Sequence, residues 1–331
     1  MRIPESAFND LLSRHGTLSV PQISQASTSH NRVREILANK SGVDASFARL
    51  VTGDFLSGSY GRGTKIPPLD DIDVMMPIDG EGLYPTRNGM SWNAKVRGSG
   101  NTDNPLLRQL DAQGQLSSRH IMDMFHRGIK ESYPTSTVAK DGQAVNVWFD
   151  SYQLGIDIVP CFHVIPADGS QDVYYIPAGG MSDGWIMTNP KVDQRISDAL
   201  HERHNQKLKP MVKLVKVWNM LQNNGRLRPY HLETLCWYVF RDHPSEVTHP
   251  GHGLMYFFQE APKRLQLLCP DMTGIGGNID SYLSITDRQN SIAEMQRAAA
   301  ILSSSYMLGL ADESRQLSGW RQVYGDNFAR N

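Results

Sequence analysis

Residues 53–76 read GDFLSGSYGRGTKIPPLDDIDVMM, and two features in them can do chemistry together: a Gly58-Ser59 step and, after eleven intervening residues, an Asp71-x-Asp73 pair. Backbone N–H groups in a glycine turn cradle phosphate oxygens, and clustered carboxylates hold hard divalent cations. The loop is not a P-loop, which needs Lys followed by Ser or Thr after its last glycine, because Gly63-Thr64-Lys65 reverses that order. Gly58, Gly61 and Gly63 also miss the GxGxxG spacing of a dinucleotide site. In DIDVMM acids alternate with aliphatics, so at period two Asp71 and Asp73 share one strand face while Ile72 and Val74 share the other. Asp70 falls on the opposite face from Asp71 and reads as a loop residue or as one that supports the pair without joining it.

A third acid, Asp157, stands in LGIDIVPCF, where an aliphatic strand makes a carboxylate costly unless it faces a cation. Three converging carboxylates repel one another without metal, and Mg²⁺ takes such oxygen ligands together with substrate phosphates. Two ions about 3.5–4 Å apart stabilise both the attacking and the leaving oxygen of a phosphoryl or nucleotidyl transfer. Gly58 and Ser59 would then offer backbone N–H groups, and Ser59 its hydroxyl, to the triphosphate. Either half alone is also what a wet edge strand or a plain turn looks like; their conjunction is the specific signal.

The elements that must position these groups can be read from periodicity. HNRVREILANK, with Ser29 as cap, predicts a helix leading toward the motif. Residues 79–115, rich in Gly, Asn and Asp, read as a long loop or an insertion. Ser117 or Ser118 caps a helix with Ile121, Met122, Phe125 and Ile129 on one stripe. TSTVAK, AVNVWFD and YQLGIDIVPCF, with Asp141-Gly142 as a turn, predict antiparallel strands. From about residue 190 the texture is helical. The expectation is an α+β fold with a mixed or antiparallel sheet in residues 1–189, a helical lobe in 190–331, and an active-site cleft between them.

Between residues 201 and 228 seven basic residues stand against one acid, Glu202. Lys209, Lys213 and Lys216 fall on one face of an otherwise apolar helix, either as a wall facing phosphate or as a solvated face. Arg62 reads as a phosphate contact or an exposed turn residue. His201 and His204, and His243, His249 and His252 beside Asp242, are expected to be structural or surface groups rather than a metal site.

Bulk composition narrows the rest. With 331 residues and 40% hydrophobic content the chain can bury a sizeable core. Lys plus Arg number 33 against 34 acids, so there is no basic field for long nucleic acid. Cys161, Cys236 and Cys269 form no CxxC pair, and no apolar run approaches the ~20 residues of a membrane helix. The expectation is a cytoplasmic protein with no membrane partner.

Gly58-Ser59, Asp71-x-Asp73 and the later Asp157 resemble the DNA polymerase β-like nucleotidyltransferases, and within them the chain is similar to the CD-NTases. These are bacterial relatives of cyclic GMP-AMP synthase and oligoadenylate synthase that make cyclic oligonucleotide signals in anti-phage defence. YYIPAGG…WIMTNP, KPMVKLVKVWN, YHLETL, GGNIDSYLS and WRQVYGDNF carry the resemblance along most of the chain. It implies a cyclic di- or trinucleotide made from NTPs, with ATP or GTP first and pyrimidine NTPs also possible. It also implies two Mg²⁺, replaceable by Mn²⁺, on Asp71, Asp73 and Asp157, and regulatory or effector proteins as partners. Triphosphate binding is implied for Lys213 and Lys216, and stacking on a base for Tyr230. Pro229 stands where relatives often carry a serine that holds the triphosphate. The rival expectations are nucleotide transfer to RNA or protein, and a decayed site that binds without turnover.

Overall fold

A computed structural model of the chain describes residues 3–87, 93–100, 102–165, 173–179, 183–308 and 312–328. Its helices are α1 (Glu5–Leu11), α2 (Val20–Val43), α3 (Gly58–Gly61), α4 (Ser118–Ser132), α5 (Pro190–Arg203), α6 (Leu208–Gln222), α7 (Pro229–Arg241), α8 (Pro250–Leu265), α9 (Ile285–Leu308) and α10 (Glu313–Tyr324). Its strands are β1 (Phe55–Leu56), β2 (Asp71–Pro77), β3 (Leu83–Arg87), β4 (Asn93–Gly98), β5 (Gln115–Leu116), β6 (Thr137–Asp141), β7 (Ala144–Phe149), β8 (Leu154–Val164), β9 (Val173–Pro177) and β10 (Trp185–Thr188).

Packing divides the chain into two units. One holds Ser19–Gly61 and Leu69–Lys191; the other holds Met1–Leu18, Arg62–Pro68 and Val192–Asn331. The sheet of the first unit runs β1-β2-β8-β9-β10-β4-β3, with β7 and then β6 branching from β8 and β5 from β4. It is mixed, because β2 and β8 are parallel while the other pairs are antiparallel. Period-two alternation does what the sequence predicts in β2: Ile72 and Val74 are buried and Asp71 and Asp73 half-buried. Ile156 and Ile158 of β8 and Val145 and Val147 of β7 are fully buried, as are Ile121, Phe125 and Ile129 of α4. Ser117 caps α4 by accepting a hydrogen bond from the His120 N–H.

Two expectations fail here for physical reasons. The helix before the motif starts ten residues earlier than the Ser29 cap implies, because Ser19 and Gln22 form a capping box and Ser29 lies inside α2. The Gly- and Asn-rich stretch 79–115 is not one long loop. It contains the β3–β4 pair and the start of β5, with Ala94 and Val96 buried between exposed Asn93, Lys95 and Arg97. Residues 88–92 and 101 of that stretch lie outside the described residues.

The second unit is helical. Phe8 and Leu11 of α1 join Met211, Leu214, Val215 and Trp218 of α6, Trp237 and Phe240 of α7, Phe257 and Phe258 of α8, and Trp320 and Tyr324 of α10 in one core. Residues 3–18 therefore pack with the helical unit, and the boundary near residue 191 falls in the first turn of α5. Among the described residues no helix is long and apolar enough to cross a membrane. Cys161, Cys236 and Cys269 are buried free thiols.

Candidate active site

Parallel pairing of β2 with β8 sets Asp73 directly beside Asp157, and Asp71 beside Gly155. Residues in register on neighbouring parallel strands point to the same side, so all three carboxylates lie on one sheet face. On the other side of β8, Asn146 of β7 opposes Asp157 and donates its side-chain N–H to Asp157 Oδ1 at 2.8 Å. Asn146 was not among the sequence candidates, although a polar amide within the buried run AVNVWF was the available signal. The space for that amide exists because residue 155 is glycine: a Cβ there would stand 2.7 Å from Asn146 Nδ2.

The glycine loop meets the same face. Ser57 N–H donates to the Asp73 carbonyl at 2.9 Å, so the chain turns into α3 beside Asp73. Gly58 has φ +59, the left-handed region, and a Cβ at this position would lie 1.7 Å from Asp73 Oδ2. Gly61 is required as well, since a Cβ there would come within 2.5 Å of the Leu56 carbonyl oxygen. Ser59 follows Gly58 in α3 and is partly exposed. Gly58, Asp73, Asp157 and Asp71 are thus assembled by one unit.

Among the described residues no three of His, Cys, Asp or Glu form a group able to hold an ion by themselves. The strand geometry accounts for this, since side chains two residues apart on a strand stand about 6.5–7 Å apart. The donor set nonetheless suits a hard cation of the kind bound by one or two carboxylates with phosphate oxygens and water completing its shell.

The residues expected to bind nucleotide in the helical unit meet different fates. Lys209 pairs with Asp198 at 2.6 Å. Lys213 is half-buried and, among the described residues, makes no ion pair; burial, then the neighbouring Lys216 and Lys209, lower its pKa. Lys216 is 4% exposed, and its Nζ donates to Glu233 Oε1 at 2.6 Å and to the Thr64 carbonyl at 2.9 Å. Arg62 is neither an exposed turn residue nor open to phosphate: it is buried, and its Nε donates to Glu233 Oε2 at 2.8 Å. Burial raises the Glu233 carboxyl, but Arg62 and Lys216 outweigh it and hold the group down to about 2. The three-lysine row is therefore one face by period but three environments by packing, because Thr64 and Glu233 close over its C-terminal end.

Tyr230 follows Pro229, which occupies the first position of α7, where a missing N–H costs nothing. Its hydroxyl donates to the Asp193 carboxylate, with both oxygens at 3.0 Å. Two of the histidines have structural partners: His204 is fully buried rather than on the surface, its Nε2 on the Phe240 carbonyl at 2.9 Å, and His249 caps α8.

Comparison with known proteins agrees with this architecture. Residues 1–97 match the Second Messenger Oligonucleotide or Dinucleotide Synthetase domain, a segment that includes Gly58, Ser59, Asp71 and Asp73. A probable cyclic nucleotide synthase of Bacillus cereus (strain VD146) is 24% identical, over 99% of this chain and 98% of its own length. A cyclic AMP-AMP-AMP synthase of Acinetobacter sp. is also 24% identical, over 99% of this chain and 86% of its own. The structure of E. coli MS115-1 CdnC with ATP superposes with a TM-score of 0.68 at 14% identity, covering all of both chains. The same protein in a complex with HORMA-deltaN gives 0.68 at 15% identity, covering 99% of each.

Proposed function

We propose, from the premise that the chain belongs to the CD-NTase family, as the matched synthetase domain, the full-length relatives and the shared fold support, that it condenses NTPs into a cyclic oligonucleotide with release of pyrophosphate. The observation that carries this reading is the register of β2 on β8, which sets Asp73 beside Asp157 with Asp71 on the same face and Gly58 packed against Asp73.

In this reading Asp71, Asp73 and Asp157 would hold the metal, taken to be Mg²⁺. Divalent ions bound there would stabilise charge on the α-phosphate and ease deprotonation of the acceptor ribose hydroxyl. Asp157, oriented by Asn146, faces that hydroxyl and helps to take its proton. Gly58 and Ser59 hold the triphosphate through backbone N–H groups and the Ser59 hydroxyl. Lys213 supplies a cation to the phosphates, while Lys216, engaged by Glu233, acts as the strut beneath it. ATP is the first substrate to test, given the product named for the Acinetobacter relative, and a HORMA-type protein the first regulatory partner, given the complex of the E. coli protein.

The test is incubation of the purified chain with each α-labelled NTP and Mg²⁺, followed by phosphatase and mass spectrometry. A phosphatase-resistant small product that disappears in the Asp71→Asn/Asp73→Asn variant is the expected result. Label found only on a macromolecular acceptor would replace cyclisation with plain nucleotide transfer. Product formation undiminished in the double variant would remove the metal-site assignment.

A further inference from the structure

Tyr230 is held from three sides within the helical unit. Its hydroxyl rests on Asp193, the Arg62 guanidinium carbon lies 5.4 Å from its ring centroid, and Trp237 meets it edge-on at 6.1 Å and 81°. Arg62 is itself fixed by Glu233, so the cation over the ring is not a loose surface group. Asp193 is 7% exposed, and among the described residues Tyr230 is the donor to its carboxylate and no cation pairs with it.

That is an expensive way to fill a core. A buried carboxyl with one donor for two oxygens costs more than an apolar side chain opposite phenylalanine would. Burial pushes the Asp193 carboxyl up to about 7, against the pull of Arg62 and of the Tyr230 hydroxyl and with a further push from Asp271 and Glu233. What the arrangement does provide is an aromatic ring with fixed orientation, its plane set by Arg62 and Trp237 and its swing about the Cα–Cβ bond stopped at the hydroxyl.

We propose that Asp193 is a positioning residue that holds the Tyr230 ring, through its hydroxyl, as the platform on which the base of a bound nucleotide stacks. This rests on the nucleotide-binding reading above, and goes beyond it by assigning the base-stacking geometry to a carboxylate on α5. Asp193 acts through Tyr230 and touches neither phosphate nor metal in this scheme.

The experiment measures equilibrium binding of ATP and of inorganic tripolyphosphate to the full chain, and reads the ratio of the two affinities as the contribution of the nucleoside. Tyr230→Ala is expected to lower that ratio roughly tenfold or more, the range of a lost base–aromatic stack. Tyr230→Phe and Asp193→Ala, which keep the ring and remove the tether, are expected to lower it about threefold or more with tripolyphosphate affinity unchanged, a fraction of the full stack. Asp193→Asn, whose amide oxygen accepts the same hydrogen bond, restores it. Unchanged tripolyphosphate affinity reports a folded helical unit, and Tyr230→Phe carries the test if Asp193→Ala does not fold. If Tyr230→Ala loses the ratio while Tyr230→Phe and Asp193→Ala retain it, the positioning role is overturned and stacking stands. If Tyr230→Ala keeps the wild-type ratio, stacking itself falls and this proposal with it.

Discussion

Replacing Gly58 by alanine tests the catalytic assignment most directly, because a single methyl group is aimed at a single carboxylate. The added Cβ would sit 1.7 Å from Asp73 Oδ2 and 2.9 Å from its Cγ, where real Cβ contacts stay beyond 3.0 Å. The carboxylate must therefore retreat by at least about 1.3 Å, or the loop must lift by as much. A misplacement of about 1 Å in a reacting constellation costs about 10²-fold in rate, and that is the loss expected in kcat/KM for product formation. Stability should suffer far less. The left-handed backbone at Gly58, φ +59, costs an alanine about 1–2 kcal/mol, and the displaced oxygen belongs to a side chain that can rotate. Gly142 provides the matched control: its φ is +55, yet a Cβ there meets nothing within 4 Å. Gly142→Ala should show the same fall in denaturation midpoint with wild-type turnover. Pyrophosphate release and chemical denaturation on both variants suffice. Gly58→Ala turning over within threefold of wild type, or Gly142→Ala losing as much activity as Gly58→Ala, would refute the argument that Gly58 is there to make room for Asp73.

Three further outcomes are expected. Glu233→Ala leaves Arg62 and Lys216 buried without their carboxylate and should destabilise the chain by about 3–5 kcal/mol in urea denaturation; a loss below ~1 kcal/mol would mean the cluster is not an interdependent ion pair. Asn146→Ala removes the donor to Asp157 Oδ1 and should lower kcat roughly 10- to 100-fold and raise the metal concentration needed for half-maximal rate, and an unchanged metal titration would contradict it. Asp193→Asn bears on pH. With the folded carboxyl near 7 and the ordinary value 3.8, folding favours the protonated form, so wild-type stability from this group is full below about 4 and lost as pH rises through 7. The asparagine does not titrate, so its stability relative to wild type should improve between pH 4 and pH 8 by at most ~4 kcal/mol; parallel melting curves at the two pH values would show that Asp193 does not titrate there.

What residue order determines by itself is local, and for this chain the local part is most of the chemistry. Alternation in DIDVMM puts Asp71 and Asp73 on one face whatever lies beside them, because successive side chains on a strand alternate. The turn at Gly58 and a serine cap at 117 or 118 were legible too, because turn and cap chemistry is set by adjacent residues; the fold uses Ser117. The β3–β4 pair was hidden because Gly, Asn and Asp dominate the composition of 79–115, while two buried residues, Ala94 and Val96, carry β4. Non-local facts came only from packing. That Asp157 stands beside Asp73, with Asn146 on its far side, depends on which strands pair and in what register. Lys216 and Lys213 look alike on a helical wheel, and the fold separates them by bringing Glu233 and the Thr64 carbonyl to one and not the other. Spacing decides which face a side chain is on, but whether that face meets a carboxylate, a carbonyl or solvent is decided by segments far away in the chain, and their approach is a property of the whole fold.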